Sequence, residues 1–200
     1  SGTAVADARG AFAGTWTGTP ATIASTAGQI DTGFQFAGTA QFDVADPGAN
    51  SSLDFAIGDS IGLSAWVWID STSPGTDYII RKSSSSRPIS LGKAGASSIS
   101  FRYYYDATNS AHFGAPAIPT NQWVHVAFTH TYGDPATAKL YINNVLCGAC
   151  VWTGDATRAP VQNDSPLNIG NGLDGKLDEL RLYDRLLSVD DVADLYAYTG

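Results

Sequence analysis

Apolar and polar side chains alternate along many short stretches of this chain, which is the pattern of β-strands with one buried face. The strongest stretch is 61–70, where five aliphatic or small side chains share one face and Trp66 and Trp68 lie on the other. Because both faces carry apolar bulk, we predict a central strand that packs against a second sheet and is covered on its outer side. Further strands are predicted at 34–36, 40–44, 78–82, 89–91, 98–105, 123–131, 139–143, 145–146 and 167–169.

The segment 176–184 predicts the last strand of the chain, and glycines just before it mark a turn. In this register Leu180 and Leu182 face the core, and the opposite face carries Glu179, Arg181 and Tyr183. Asp178 falls on the core-facing register, where an unpaired carboxylate costs several kcal/mol. We therefore expect Asp178 to have a partner, such as a cation.

A short closing helix is predicted after Ser188, because this N-cap serine is followed three residues later by the acidic Asp191. The apolar positions of the helix are Val189, Val192, Leu195 and Tyr196. Short strands separated by turns, with one terminal helix, indicate an all-β fold, an antiparallel two-sheet jelly-roll β-sandwich. Residues 1–200 suit a single domain, in which 1–30 form an irregular N-terminal segment with one strand near 14–17.

Composition and charge narrow the class of protein. Charged residues are only 15%, methionine is absent and the net charge is −8, which argues against nucleic acid or an anionic membrane as partner because both select basic patches. No apolar run approaches the roughly 20 residues of a membrane-spanning helix. We therefore predict a soluble module that does not insert into a membrane and is secreted or lies at the cell surface. We expect it to be a piece of a longer secreted protein.

Cys147 and Cys150 enclose two residues, a spacing shared by thioredoxin-like redox motifs and by half of a zinc site. Redox activity needs a helix that follows a strand of a βαβ unit, and this pair follows a predicted hairpin instead. Zinc needs further ligands, and His112, His125 and His130 have no matching spacing. A local disulfide is therefore favoured, with a modest effect on stability because the closed loop is short.

The case for catalysis is weak. Glycosidases use two carboxylates on one face, but Glu179 is the only glutamate of the chain, and its neighbour Asp178 points to the opposite face of a strand. Asp106 lies in a predicted loop without an acid–base partner. His125 and His130 are an odd number of positions apart, so they point to opposite faces and form no triad. We predict that the protein is not an enzyme.

Recognition is the remaining chemistry, because sugars bind to aromatic faces flanked by polar groups. The predicted outward register and the adjoining loops supply candidate carbohydrate-binding residues, which are Trp68, Arg102, Tyr104, Asp106, His112 and Trp152. The alternative is that large aromatic side chains at sandwich positions pack in the core. We adopt that alternative for Trp66, and it stays open for Trp68, Tyr104 and Trp152.

Six short motifs occur in an order that resembles a known family. They are FQFAG at 34–38, LSAWV at 63–67, QWVHVA at 122–127, KLYINN at 139–144, LNIG at 167–170 and GKLDELRLYDRLLS at 175–188. Over about residues 30–200 the chain is similar to the laminin-G-like domains of the concanavalin A-like lectin/glucanase superfamily. The resemblance implies a jelly roll that is usually a non-catalytic extracellular module and binds glycans or proteins, often with calcium. Asn144 stands where the family commonly has glycine, and the cysteine pair is outside the pattern.

The resemblance also implies a calcium site. Related glucanases place a calcium ligand at the aspartate that corresponds to Asp178, together with backbone carbonyl groups near the start of the chain. The implied ligands here are Asp178 and the carbonyl of Gly38, with Asp7 as a weaker third, completed by water and further carbonyls. The alternative is that Asp178 caps a turn or pairs with Arg181 or Lys176.

Three functions follow, in order of preference. The first is a calcium-stabilised, lectin-like carbohydrate-binding module in a larger secreted adhesin or polysaccharide-active enzyme. The second is a protein-binding adhesion module on the same sandwich, with an aromatic side chain as its anchor. The third is a glycoside hydrolase or polysaccharide lyase. Fold alone does not decide among them.

Overall fold

The computed structural model describes residues 4–6, 13–18, 24–37, 39–73, 75–82, 88–94 and 98–200. Within these residues, two antiparallel sheets and a short C-terminal helix, α1 (Val189–Ala197), form a jelly-roll β-sandwich. The predicted fold class is therefore confirmed. No helix in the described ranges is long and apolar enough to cross a membrane.

Sheet A contains nine of the described strands. They are β1 (Ala4–Val5), β2 (Gly14–Thr17), β5 (Gln41–Val44), β7 (Asp77–Lys82), β8 (Ile89–Ala94), β9 (Ser98–Tyr104), β10 (Ser110–Ala117), β14 (Val151–Thr153) and β15 (Leu167–Ile169). Their order across the sheet is β1-β2-β5-β15-β7-β8-β9-β10-β14.

Sheet B contains seven of the described strands. They are β3 (Ala24–Ala27), β4 (Thr32–Phe36), β6 (Ser60–Ile69), β11 (Trp123–Thr131), β12 (Asp134–Ile142), β13 (Val145–Leu146) and β16 (Gly175–Tyr183). Their order across the sheet is β13-β12-β11-β6-β16-β4-β3.

The core lies between the two sheets, and the alternation along the strands fills it. In sheet B, β6 pairs with β11 on one side and β16 on the other, and Val67 on its inner face is fully buried. Phe101 of β9 stacks on Phe128 of β11, with ring centroids 4.1 Å apart. The inner face predicted for β6 is therefore confirmed.

Two groups of charged side chains lie buried at opposite ends of β7, and the sequence patterns did not predict them. Lys82 lies between Asp46 and Asp54, with nitrogen–oxygen distances of 2.6 and 2.7 Å. Lys93 pairs with Asp77 at 2.8 Å. All five side chains are at most 1% exposed. Each charge therefore depends on its partner, because removing one partner of a buried pair costs about 3–5 kcal/mol.

Several strands lie outside the predictions. β10 has the sequence SAHFGAPA and β14 has VWT, and neither shows a sustained alternation of large apolar side chains. β1 and β3 fall within the N-terminal segment predicted to be irregular apart from 14–17. That segment therefore contributes strands to both sheets.

The β12–β13 hairpin and the disulfide are both confirmed. Asn143 and Asn144 have φ of 49° and 62°, as a two-residue type I′ turn requires. Cys147 and Cys150 are joined by a disulfide, with their Cα atoms 5.5 Å apart. The bridge lies in the short connection between β13 and β14, which are edge strands of the two sheets.

A β-bulge in β16 changes the predicted facing of its side chains. Asp178 pairs with Trp66 and Arg181 pairs with Ser64, so β16 has one residue more than β6 in this interval. Glu179 takes a φ of 49° at the bulge. Asp178 therefore lies on the outer face of sheet B beside Trp66, and its predicted core-facing position is wrong.

The residues that follow the bulge match the predicted facing only in part. Leu180 packs against the core, as predicted, whereas Leu182, predicted to face the core, is exposed near the end of the strand. Arg181 pairs with Glu179 and lies 4.6 Å from the centre of the Tyr198 ring. The second half of β16 therefore carries a charged and aromatic contact on the side of helix α1.

Helix α1 covers the outer face of sheet B around Trp66. Ser188 and Asp191 form the predicted capping box, in which each side chain accepts a hydrogen bond from the other residue's backbone N–H. Val192 is fully buried, and Tyr196 stacks on Trp66 with ring centroids 5.5 Å apart. Trp66 is 7% exposed, which confirms the prediction that it packs within the protein.

Candidate ligand-binding face

The outer face of sheet A carries three of the six predicted carbohydrate-binding residues. Arg102 of β9 is the direct cross-strand neighbour of His112 of β10, and Tyr104 lies two positions farther along β9 on the same face. All three are partly exposed. The structure therefore brings Arg102, Tyr104 and His112 together. Strand alternation predicted the outward positions of Arg102 and Tyr104, whereas His112, predicted in the following loop, lies on strand β10.

These residues belong to a line of polar side chains that crosses sheet A from strand to strand. Each member is the register partner of the next, and such partners lie on one face with Cβ atoms about 5 Å apart. From β5 to β10 this line, called the polar row below, consists of Asp43, Asn168, Arg81, Ser90, Arg102 and His112.

Small residues occupy the middle of this face. Ser90 and Ser100 are each 7% exposed, although strand alternation turns both outward. Gly92 and Gly114 are the cross-strand partners of Ser100 on its two sides. Small side chains therefore lie next to the larger side chains of the polar row.

Hydrogen bonds fix one end of the polar row. The amide of Asn171 donates to Gln41, and its oxygen accepts a hydrogen bond from Nη1 of Arg81 at 3.0 Å. The carboxylate of Asp43 accepts hydrogen bonds at 2.6–2.7 Å from the side chains of Thr17, Gln41 and Asn168. This network holds Arg81 and Asp43 in defined positions.

Three buried polar atoms of the polar row have no hydrogen-bond partner in the described structure: Nε of Arg81, Nε2 of His112 and Oδ1 of Asn168. Seven further atoms of this kind in the described residues lie away from the polar row, among them Nε1 of Trp66 and Nδ1 of His125. Burial and the charge of Arg102 lower the pKa of His112. Its imidazole is therefore neutral near pH 7 and can donate or accept a hydrogen bond.

Asp106 lies in the turn that joins β9 to β10, and its carboxylate is used within that turn. It accepts hydrogen bonds from the N–H groups of Thr108 and Asn109 at 2.8 and 2.7 Å. The side-chain amide of Asn109, together with these N–H groups, lowers the pKa of Asp106 to about 2. Asp106 therefore shapes the turn at the end of the face and lies outside the polar row.

Trp152 faces the core, and its predicted outward position is wrong. It is the cross-strand partner of the buried Phe113, and its ring centroid lies 4.9 Å from that of His130. Its indole N–H donates to the carbonyl of Pro135 at 3.1 Å. The packing alternative that the sequence left open therefore describes the position of Trp152.

Trp68 lies on the other side of the sandwich, on the outer face of sheet B. It is half-buried, and its cross-strand partner is Trp123, with ring centroids 6.2 Å apart. The ammonium group of Lys176 lies 4.9 Å from the centre of the Trp68 ring, a cation–π contact. Trp68 is therefore separate from the polar row.

Asp178, the first predicted calcium ligand, is buried at the bulge of β16. The carboxylate accepts hydrogen bonds from the backbone N–H groups of Ile30 and Glu179, each at 2.8 Å, which matches the turn-capping alternative. No cluster of three or more acidic, histidine or cysteine side chains in the described ranges could hold a metal ion. Gly38 and Asp7 lie outside the described residues, so the calcium ligand set stays a prediction.

Side chains that could serve catalysis are engaged elsewhere. Glu179 pairs with Arg181. Nε2 of His125 lies 2.8 Å from the Ser64 hydroxyl, but both residues are buried on the outer face of sheet B, and burial lowers the pKa of His125 to about 4. Asp43 is the one carboxylate of the polar row, whereas glycosidases generally need two on one face.

Comparison with known families identifies the chain. The Laminin_G_3 model of the concanavalin A-like lectin/glucanases superfamily matches residues 36–193. This chain belongs to that family. The resemblance inferred from the six motifs is therefore confirmed. A search of curated proteins found no significant match.

Solved structures share the fold of this laminin G-like domain. Domain 4 of AbnA, a GH43 extracellular arabinanase from Geobacillus stearothermophilus solved in complex with arabinotriose, is 21% identical, with a TM-score of 0.69, over 96% of this chain and 92% of that chain. The binding domain of botulinum neurotoxin DC, solved with rat synaptotagmin II, is 14% identical, with a TM-score of 0.67, over 88% of this chain and 44% of that chain. A structure concerned with the interaction of botulinum neurotoxin type C with two ganglioside molecules is 13% identical, with a TM-score of 0.67, over 94% and 47%. At these identities the likeness shows the fold alone.

Proposed function

We propose that this laminin G-like domain is a non-catalytic carbohydrate-binding module and that the polar row is its ligand face. The observation that carries the proposal is the grouping of the partly exposed Arg102, Tyr104 and His112 on one face of sheet A. Sugar hydroxyls would bond to the partly exposed side chains of Arg102 and His112, and the small serine and glycine residues beside them would lie beneath the sugar ring. Tyr104 on the same face provides an aromatic surface for stacking.

Structures with the same fold support the proposal. The arabinanase domain was solved with arabinotriose, and the type C neurotoxin structure concerns gangliosides; both ligands contain sugars. An extracellular setting, within a larger secreted adhesin or polysaccharide-active enzyme, completes the proposal. It is supported by the disulfide between Cys147 and Cys150, because disulfides persist mainly in oxidising compartments.

Binding should be measured on a glycan array and then by calorimetry with the best glycan found. We expect saturable binding and an affinity about tenfold lower for Tyr104→Ala, a loss of about 1.4 kcal/mol. Tyr198→Ala is the matched control, because Tyr198 is exposed after helix α1 on the other side of the sandwich. Absence of binding to every glycan rejects the proposal, and equal losses in the two variants reject the polar row as the ligand face.

The non-catalytic part of the proposal has its own assay. Soluble polysaccharides incubated with the domain should release no more reducing ends than they do with heat-denatured protein. Release that scales with protein concentration would show that the domain is a hydrolase. A rise in absorbance from new unsaturated sugar ends would indicate a lyase instead.

Calcium stabilisation is a separate part of the proposal and centres on Asp178. Metal analysis of the purified domain should find bound calcium, and a chelator should lower the melting temperature, because a ligand that binds the folded state stabilises it. Asp178→Asn should abolish the difference between melts with and without chelator. A calcium-free protein with an unchanged melting temperature would leave Asp178 with its turn-capping role alone.

A protein-binding role is the second candidate function, and the Trp68–Trp123 pair favours it. Partly exposed tryptophan side chains are typical anchors of protein interfaces. The neurotoxin domain solved with synaptotagmin II has the same fold in a protein complex. Trp68→Ala should leave glycan affinity unchanged. A loss of glycan affinity in this variant would instead assign the glycan to the outer face of sheet B.

A further inference from the structure

We infer that the saccharide bound by the polar row carries an anionic group, a carboxylate or a sulfate, which Arg81 and Arg102 hold from two sides. The inference rests on the proposed carbohydrate-binding function and adds the chemical class of its ligand. The two guanidinium groups lie on one face of sheet A, on β7 and β9, with one strand between them.

The spacing of the two arginines suits a group of sugar size. Ser90 of β8 pairs with Arg81 on one side and with Arg102 on the other. Two strand spacings of about 4.8 Å separate the arginine backbones by about 10 Å. Because Ser90 is short, an anionic group that lies over it is flanked by Arg102 on one side and by Arg81 on the other.

Neither arginine has a carboxylate within ion-pair distance among the described residues, although the chain has 19 acidic and 11 basic residues. Five other basic side chains are paired with carboxylates: Lys82, Lys93, Arg158, Arg181 and Arg185. The remaining described basic residues, Lys139 and Lys176, lie on sheet B. In a chain with excess acid, two unpaired guanidinium groups on one face indicate that their anionic partner comes from outside.

Arg81 is already held in position for such a partner. Its Nη1 donates to Asn171 at 3.0 Å, and its guanidinium group lies 5.2 Å from the centre of the Tyr78 ring. Its Nε is buried without a partner. A fixed planar guanidinium binds a carboxylate or sulfate through parallel hydrogen bonds, and its prior ordering reduces the entropy lost on binding.

The other titratable groups of the polar row do not cancel this charge. Asp43 lies two strands from Arg81 and accepts three hydrogen bonds from neutral side chains. His112 lies directly beside Arg102, and its lowered pKa keeps it neutral near pH 7. The positive charge of the face therefore comes from the two arginines, and His112 is left to bond a hydroxyl group.

Calorimetry with matched oligosaccharides tests the inference. One pair is tetragalacturonate and its full methyl ester, which differ in the carboxylate charge, and a second is a sulfated carrageenan oligosaccharide and its desulfated counterpart. We expect the acidic member of one pair to bind at least about tenfold more tightly than its neutral counterpart, and the pair that responds identifies the anionic group. This advantage should shrink as sodium chloride rises from about 50 to about 500 mM, because salt screens the charges.

Two variants and a control locate the effect. Arg81→Gln and Arg102→Gln should each lower the affinity for the acidic member about tenfold and change the affinity for the neutral member much less. Arg158→Gln is the control, because Arg158 is an exposed arginine already paired with Asp155. Equal binding of acidic and neutral members overturns the inference and leaves the carbohydrate-binding proposal standing. Absence of binding to any oligosaccharide or array glycan rejects the proposed function itself.

Discussion

The two outer faces of the sandwich are built by the same strand alternation, yet they differ in what lies on them. On sheet B, Trp66 and His125 are covered by Tyr196 of helix α1. On sheet A, the polar row has no covering helix among the described residues, and Arg81 and Arg102 are partly exposed. One outer face is therefore packed beneath helix α1, whereas no helix of the described residues covers the polar row.

The difference lies in the residue types that alternation places outward. Exposure of an aromatic outer face to water is unfavourable, and burying it stabilises the fold. Helix α1 therefore stabilises sheet B by covering this face. A polar outer face has no such need, but its buried donors and acceptors still require partners. The covered face should therefore respond to mutation through stability, and the polar row should respond through binding.

The largest effect is expected for Trp66→Ala. Removing this buried ring leaves a cavity beneath α1, so the free energy of unfolding should fall by about 3–5 kcal/mol, measured by urea denaturation. Tyr104→Ala on sheet A is the matched control and should cost less than about 1 kcal/mol, because Tyr104 is partly exposed. Equal losses in the two variants would remove the distinction between the faces.

The second largest effect is expected from acid, which should lower the stability of the fold through its buried histidines. Burial lowers the pKa of His125 and of His130 to about 4, whereas the unfolded value is about 6.5. Between these values the unfolded chain binds protons that the folded chain does not, so stability is complete above about pH 6.5 and falls as the pH drops toward 4. From pH 7 to pH 5 we expect urea unfolding to show a loss of roughly 1–2 kcal/mol for each histidine.

Two variants sharpen the acid prediction. His125→Gln should reduce the difference in stability between pH 7 and pH 5, because it removes one of the two strongly shifted groups. His112→Gln, on the polar row, should reduce it less. A protein that is equally stable at both pH values would contradict the prediction, and a larger effect of His112→Gln would reverse the contrast between the faces.

A smaller effect is expected at the start of α1. Ser188→Ala removes the side-chain acceptor of the capping box and should lower the free energy of unfolding by about 1 kcal/mol. Ser90→Ala makes the same chemical change on the polar row, where no cap is lost, and should cost less than about 0.5 kcal/mol. Thermal unfolding of the two variants checks this difference. Equal decreases in their melting temperatures would contradict it.

The sequence predicted those parts of the fold where local pattern and packing agree. The strand around Val67 alternates strongly, the Asn143–Asn144 turn has residues that tolerate positive φ, and Ser188 begins a capping box; each is where the pattern placed it. β10 was missed because its glycine, alanine and proline residues weaken the alternation. The facing of Asp178 was wrong because one bulged residue reverses the alternation, and no local pattern marks the bulge.

The candidate face was predictable in part. Alternation along β9 was enough to place Arg102 and Tyr104 outward. His112 was selected as a residue of the following loop, and its place beside Arg102 depends on strand β10, which the sequence did not predict. Arg81 and Asn168 were missed, because their place in the polar row depends on pairing between strands distant in sequence. Sequence spacing shows which side chains share a face of one strand, but the order of strands in a sheet decides which of them become neighbours.

Two adjacent basic residues on β7 have opposite environments, and this arrangement fixes how the strand can pair. Lys82 is buried with Asp46 and Asp54, while Arg81 turns outward into the polar row. A slip of β7 by one residue would place Arg81 at the buried carboxylates, where its larger group does not fit the position of an ammonium, and would leave Lys82 on the outer face. The pair Arg81–Lys82 therefore specifies the register of β7. The same ion pairs that neutralise Lys82 in the interior also keep Arg81 on the outer face.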